Sequence, residues 1–318
     1  MLDSFLATLS PMLVMFLCIV IGYVLRVKKL LPEDAATVMS KLENFVFVPA
    51  LVLSNFMTNC TVESLSTHYV IVLYSVLALA VALIIAIPLS KLFAKNDYYK
   101  RNIYKYALTF GNFAFMGNAI VPAILGQYDS QILYKYLLFT LPLNIAIYTW
   151  GIAILIPKGE KKQNPLKNLL NPACISIVIG VLLGITGLTK YVPEFVTTTL
   201  DYCKSCMAPV AMILTGFVVG GYSVKPLLSD KKVYIATFLR LFVLPSIILA
   251  VLMLCRAPDL VVVLAMFAYA TPLGMNTVVF PAAYGGETKT GASMAMISHT
   301  LCIITIPIVY TVLIQILR

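Results

Sequence analysis

Two polar, glycine-containing stretches interrupt apolar sequence at related places in the two halves of the chain. Residues 109–118 read TFGNFAFMGN, and residues 270–276 read ATPLGMN. Glycine and proline are poor helix formers, and asparagine competes with the backbone for hydrogen bonds. Each stretch is therefore predicted to break the helix that contains it, and these two breaks decide the fold.

The composition of the whole chain places both stretches inside a membrane. Of its 318 residues, 23 are Lys or Arg and 13 are Asp or Glu, so charged residues make up 11%, against about 25% in soluble domains. Apolar residues make up 61%, and the mean hydropathy is +0.95. A soluble enzyme needs more polar surface than this, and disordered, collagen-like and coiled-coil chains have other compositions. The sequence predicts an all-α polytopic membrane protein.

Ten segments are apolar and long enough to cross a bilayer as helices, which takes about 20 residues. Five fall in each half of the chain, and the two interrupted stretches lie in the fourth and the ninth. The predicted spans cover residues 5–25, 38–57, 69–89, 104–125, 131–156, 172–189, 195–221, 233–254, 260–284 and 292–317.

Lysine and arginine residues are distributed unevenly among the connecting loops. Most of them follow odd-numbered spans, as in the clusters at residues 26–29, 91–105 and 158–167. Because short cytoplasmic loops accumulate Lys and Arg, both termini are predicted on the outer side of the cell membrane and the odd-numbered loops in the cytoplasm. The net charge of +10 then reflects membrane insertion and affinity for anionic lipid headgroups. A nucleic-acid partner is not expected, since these cations lie in short loops at the membrane surface.

The two halves of the chain share sequence matches at a nearly constant spacing. The sequence IVIG at residues 19–22 recurs at 177–180, and PAILG at 122–126 recurs as PAAYG at 281–285. Each predicted half, 1–157 and 158–318, holds five spans, so the second half must enter the membrane inverted relative to the first. Inverted repeats are typical of secondary transporters, whose substrate site lies between the repeats near the bilayer midplane.

The two broken helices are predicted to cross at this site, because freed backbone groups are tolerated in a membrane only against protein or a wet cavity. Half-helix N-termini carry about +0.5 charge each, and asparagine amides both donate and accept hydrogen bonds. The alternative is that the asparagines only tie helices together and the prolines only kink them. The candidate substrate-binding residues are Gly111, Asn112, Gly117, Asn118, Pro272, Gly274, Met275 and Asn276, and the candidate site-shaping residues are Pro49, Pro122, Pro209 and Pro281.

Several ionisable residues fall inside predicted spans, where such residues are functional candidates by default. His299 and Asp201 are candidates for proton coupling. The alternatives are a neutral His299 that hydrogen-bonds between helices and an Asp201 that pairs with Lys204 on the same helical face. Arg240 closely follows a cytoplasmic loop and is interpreted as reaching the headgroups. Tyr106 and other aromatic residues near span ends are interpreted as an interfacial belt.

No sequence motif for cofactor or metal chemistry is found. Cys203 and Cys206 form a Cys-x-x-Cys pair, but no second pair or neighbouring histidine completes a zinc site. The sequence contains no phosphate loop, His-Glu-x-x-His helix or nucleophile elbow. An enzyme is therefore not expected, and no cofactor is predicted beyond a coupling proton or sodium ion.

The pattern Thr-x-x-Asn-x-x-x-x-Gly at residues 109–117 resembles the auxin efflux carrier family. Pro272 and residues 282–285 of the ninth span carry the same resemblance, as do Arg240-Leu241 and Thr305-x-Pro307. The short link at residues 157–171 is similar to that of the compact prokaryotic members.

This resemblance implies a ten-helix carrier of two inverted repeats, with crossed fourth and ninth helices and elevator-type alternating access. The family is related in fold to the bile-acid sodium symporters, so a sodium site made only of carbonyl groups stays open beside proton coupling. Bacterial members are associated with organic acids such as malate or malonate, and plant members with auxin.

The expected function is secondary active transport of a small organic anion, in particular a carboxylate, bound where the broken helices cross. The alternative from another class is a membrane sensor or partner-binding protein that keeps the carrier fold without transport. The expected partners are the substrate anion and membrane lipids, and the sequence leaves open whether the chain also forms a homodimer.

Overall fold

The computed structural model describes residues 2–157, 170–283 and 286–317. Within these ranges the chain is built from helices and contains no β-strand. In the first half the α-helices are α1 (Leu2–Val27), α2 (Ala35–Leu42), α3 (Val48–Asn59), α4 (Val62–Phe93), α5 (Tyr98–Thr109), α6 (Asn118–Leu125), α7 (Ile132–Ala146) and α8 (Ile152–Leu155). In the second half they are α9 (Pro172–Thr186), α10 (Glu194–Gly220), α11 (Val224–Leu228), α12 (Lys231–Phe238), α13 (Leu244–Leu254), α14 (Asp259–Tyr269), α15 (Asn276–Ala283) and α16 (Lys289–Ile316).

Seven continuous helical stretches in the described part of the chain are long and apolar enough to cross a membrane. In three of them a five-residue π turn joins two α-helices: Glu43–Phe47 joins α2 to α3, Ile147–Gly151 joins α7 to α8, and Leu239–Val243 joins α12 to α13. The prediction of an all-helical chain with several helices able to cross a membrane is thereby confirmed. The count of ten spans, the inverted symmetry and the outward termini stay predictions.

Some of the predicted boundaries change. The sixth predicted span extended to residue 189, but α9 ends at Thr186, because Gly187 adopts a left-handed conformation with a φ of 66° and caps the helix. The loop lysines at 158–167 and residues 284–285 of the family resemblance lie outside the described ranges.

The fourth and ninth predicted spans are each interrupted. The fourth consists of α5, an extended residue at Phe110, and a π turn at Phe113–Gly117 that continues into α6. The ninth consists of α14 and α15, separated by non-helical residues 270–275. Helical structure therefore stops in both polar stretches that the sequence singled out.

Glycines allow the first helices of each half to approach another helix closely. A Cβ atom on Gly22 of α1 would collide with the carbonyl of Ile213 in α10, and one on Gly180 of α9 would lie 3.2 Å from the carbonyl of Leu53 in α3. Such small-residue contacts are a usual way to pack membrane helices. The two contacts involve positions that the sequence matches pair with each other, and the repeat itself stays a prediction.

Replacement of Gly22 by alanine tests this packing. The added methyl group has no space against the backbone of Ile213, so we expect the free energy of unfolding to fall by about 1–3 kcal/mol, as for other overpacked sites. The measurement is the unfolding midpoint in detergent or nanodiscs. Val20→Ile is the matched control, because it adds one carbon at an exposed position of the same helix. An unchanged midpoint for Gly22→Ala would contradict the close contact.

Candidate functional site

The two helix breaks touch each other through their backbones. Gly111 and Leu273 form an isolated antiparallel β-bridge, and the amide of Asn112 donates a 2.7 Å hydrogen bond to the carbonyl of Pro272. A Cβ atom on Gly274 would lie 3.3 Å from the carbonyl oxygen of Gly111. The structure therefore brings together four of the residues predicted to form the site. This contact between residues 110–113 and 270–276 is called the crossing below.

The side chain of Asn112 is bound to His299 of α16. Asn112 and His299 are each only 3% exposed, and 2.9 Å separates the Asn112 Nδ2 from the His299 Nε2. The other ring nitrogen, Nδ1, lies 2.8 Å from the carbonyl of Ala295 and must donate to it. In a neutral ring the Nε2 is then the acceptor, so the Asn112 amide donates to it. Of the two roles considered for His299, this geometry favours the neutral histidine that links helices.

A second asparagine ties the ninth span to the fourth. The Nδ2 of Asn276, at the start of α15, donates a 2.7 Å hydrogen bond to the hydroxyl of Tyr106 in α5. Tyr106 is almost completely buried. Its assignment to an interfacial aromatic belt is therefore wrong, because its hydroxyl is used inside the protein.

Gly117 ends the π turn of the fourth span and Asn118 begins α6, next to the break. The Oδ1 of Asn118 is buried and has no hydrogen-bond donor in the described residues. A Cβ atom on Gly117 would collide with the hydroxyl of Tyr136, which is within hydrogen-bond distance of the carbonyls of Phe113 (3.2 Å) and Phe267 (3.3 Å). Tyr136 thus links the π turn of the fourth span to α14 of the ninth.

Arg240 lies at the crossing and not at the headgroups. It is 0% exposed, and its Nη1 donates to the carbonyls of Leu108 and Thr109 at 3.0 and 3.2 Å. Its Nη2 donates to the carbonyl of Ala268 at 3.4 Å, and the guanidinium carbon lies 5.6 Å from the centre of the Tyr269 ring. The interpretation of Arg240 as a residue that reaches the headgroups is wrong, because partners from both broken spans hold it inside the protein.

The position of Arg240 has an electrostatic consequence. Its three carbonyl partners belong to the last turns of α5 and α14, where a helix carries about half a negative charge. No salt bridge to Arg240 is present in the described part of the chain. Its Nε is buried without an acceptor among those residues. One guanidinium therefore neutralises the C-terminal ends of both half-helices and keeps an unused donor.

The remaining predicted residues are Met275 and the four prolines. Met275 is buried against Val219 and Ala295. The prolines occupy four helices: Pro122 and Pro281 lie within α6 and α15, Pro49 at the start of α3 and Pro209 within α10.

Asp201 lies in a separate polar group at the packing of α3 and α10. Its carboxylate is 2.5 Å from the Nζ of Lys204 and accepts a 3.2 Å hydrogen bond from Ser54. None of these contacts involves a residue of the crossing. The predicted pairing with Lys204 is confirmed, whereas proton coupling through Asp201 stays a prediction.

Sequence reasoning missed three residues that hold the crossing together: Tyr106, Tyr136 and Ser298, whose hydroxyl accepts a hydrogen bond from the amide of Leu273. Each is far from its partner along the chain, so no local pattern marks it. Arg240 did carry a signal, since an arginine inside a span is a functional candidate.

Comparison with known proteins identifies the family. A family model described as a membrane transport protein matches residues 7–310. The chain belongs to this family, that of the auxin efflux carriers. A relative in Methanocaldococcus jannaschii, named an uncharacterized transporter, is 22% identical over 305 residues, which cover 94% of this chain and 96% of the relative. Both findings indicate a membrane transporter and not an enzyme.

The role of Arg240 in this carrier can be tested by its replacement with methionine. Three buried carbonyls lose a charged donor, and each such bond is worth about 1.5–3 kcal/mol, so we expect the free energy of unfolding to fall by at least about 2 kcal/mol. The thermal unfolding midpoint measures this. Arg256→Met is the matched control, because Arg256 is exposed. Equal midpoints for the two variants would contradict the assigned role.

Proposed function

We propose that this chain is a secondary active transporter of a small organic anion, in particular a carboxylate, with its substrate at the crossing of the two broken helices. Family membership supports transport as the general function. The observation that supports an anion as substrate is the guanidinium of Arg240, which occupies the carbonyl ends of both half-helices. Three carbonyls at these helix ends already accept hydrogen bonds from an internal cation, which disfavours a second cation beside them.

In this proposal the ligand binds at the N-terminal ends of the half-helices that follow the two breaks. The π turn begins at Phe113 and α15 begins at Asn276, and each N-terminal end carries about half a positive charge. Neither predicted span, 104–125 or 260–284, contains an Asp or Glu residue. A carboxylate at a helix N-terminus is a common and favourable arrangement, so an anion is the ligand whose charge complements the crossing.

Unpaired polar atoms support the same ligand class. The Nε of Arg240 is a donor without an acceptor, and the Oδ1 of Asn118 is an acceptor without a donor, among the described residues. A ligand with a carboxylate and a hydroxyl or a second, protonated carboxyl would satisfy both kinds of atom. In this proposal Asn112 and Asn276 orient the ligand, and His299 orients Asn112.

Alternating access would follow from the division of the helix contacts into two groups. The glycine contacts join α1 to α10 and α9 to α3, while Arg240, Tyr136 and Ser298 fasten the crossing to its own neighbours. We propose that the second group carries the bound anion as a unit past the first, in an elevator-type movement. Sodium coupling is not proposed, because three carbonyls at the broken helix ends already accept hydrogen bonds from Arg240.

Transport by the crossing can be measured as counterflow of radiolabelled malonate and malate in proteoliposomes. We expect wild-type protein to exchange at least one of these acids. Asn112→Ala and Asn276→Ala should each reduce the exchange about tenfold, which corresponds to the loss of one good hydrogen bond to the ligand. Malonamide, which has the shape of malonate without its charge, should not compete.

The matched control is Asn144→Ala, because among the described residues the Asn144 amide bonds to the carbonyl of Thr140 in its own helix and to no other group. Unfolding midpoints establish that each variant is folded. Wild-type exchange that persists in both site variants would contradict the location of the site. Binding of an acid without any exchange would favour the membrane-sensor alternative, and competition by malonamide would contradict selection by charge.

A further inference from the structure

Glu43 is a completely buried acid that the crossing does not use. It opens the π turn Glu43–Phe47 between α2 and α3 and is 0% exposed. Neither of its carboxyl oxygens has a hydrogen-bond partner in the described chain. Among the Lys, Arg, Asp and Glu residues of the described chain, Arg240 is also completely buried, but its guanidinium has three carbonyl acceptors.

In the part of the chain that the structure describes, Glu43 has no charged partner. The π turn packs against α2, α3, α9 and α10. Of the groups there, Asp201 and Lys204 pair with each other, and Cys174 lies within hydrogen-bond distance of Asn171. None forms a hydrogen bond or ion pair with Glu43 in the described residues. The titratable groups on these four helices are Lys41, Cys174, Glu194, Asp201, Tyr202, Cys203, Lys204 and Cys206.

An ionised carboxylate in such a position is costly. Removal of a charge from water without a partner costs several kcal/mol, whereas a neutral carboxylic acid costs far less. We therefore expect the buried Glu43 to carry a proton in this conformation. Unpaired acids inside membrane spans are rare and are usually retained for a function, and π turns within helices are frequent at functional sites.

We propose that Glu43 is the proton-binding site of the transport cycle. The carboxylate takes one proton from water on one side of the membrane to form the neutral acid, and returns that proton to water when a second conformation wets the group. Because the two conformations differ in their affinity for a proton, a pH difference can bias their interconversion. This proposal rests on the proposed function and deepens it by naming the coupling ion.

The other candidate proton carriers are already engaged. His299 has both ring nitrogens within hydrogen-bond distance of partners, at Asn112 and Ala295. Asp201 is exposed and paired with Lys204. Glu43 is completely buried and has no partner among the described residues. Binding of a proton would remove the free-energy cost of an unpaired charge at this position.

The transport test compares wild type, Glu43→Gln and Glu63→Gln in proteoliposomes loaded with malonate or malate. With one coupled proton, the accumulation ratio of wild type should change about tenfold for each unit of pH difference across the membrane. Glu43→Gln imitates the protonated acid, so it should still exchange substrate but should no longer respond to the pH difference. Glu63→Gln is the matched control, because Glu63 is exposed, and it should behave as wild type.

A second variant and a second readout test the proposal even if Glu43→Gln does not fold or the protein transports neither acid. Glu43→Asp keeps a titratable carboxyl and should keep the response to pH difference. The infrared spectrum of purified protein at neutral pH should show the carbonyl stretch of a protonated carboxyl in wild type, and this band should be absent in Glu43→Gln and unchanged in Glu63→Gln.

The outcomes separate the two proposals. If wild type moves neither acid, the proposed function fails, and the infrared spectrum still tests Glu43. Identical spectra for wild type and Glu43→Gln would overturn Glu43 as a proton site. So would transport that ignores the pH difference in wild type, or that responds to it equally in Glu43→Gln.

Discussion

Two helices that break inside a membrane leave carbonyl groups without hydrogen bonds, and lipid cannot supply donors to them. The crossing depends on the groups of the protein that donate to these carbonyls instead. The guanidinium of Arg240 supplies donors to carbonyls of both helices at once. The bridge between Gly111 and Leu273 and the hydroxyl of Tyr136 join the same two segments. The crossing is therefore held by backbone groups and a few buried polar side chains.

The same interaction sets the charge of the crossing. A broken helix presents a positive and a negative end at one place, and symmetry alone would not decide which ion the pair prefers. Arg240 removes that ambiguity, because it neutralises only the negative ends. The absence of acidic residues from both interrupted spans leaves the opposite ends uncompensated. In the proposed function, a carrier with few charges thus distinguishes anions from cations through one buried cation and backbone dipoles.

The helix breaks could be predicted from sequence because glycine, proline and asparagine act on the backbone locally. The environment of Arg240 could not, because its partners Leu108 and Ala268 are brought to it only by the tertiary fold. Its position soon after a cytoplasmic loop favoured the headgroups, and only packing shows that it points inwards. Glu43, in contrast, could have been singled out from the sequence, because it is an acidic residue within the predicted span 38–57.

The most direct measurement of the central claim is a high-resolution cryo-EM map of the protein with bound malonate. The account predicts density for the dianion at the N-terminal ends of the Phe113–Gly117 turn and α15, within reach of Asn112 and Asn276, while the Arg240 guanidinium remains on its carbonyl partners. A metal cation on those carbonyls with Arg240 displaced, or malonate bound away from the crossing, would contradict it.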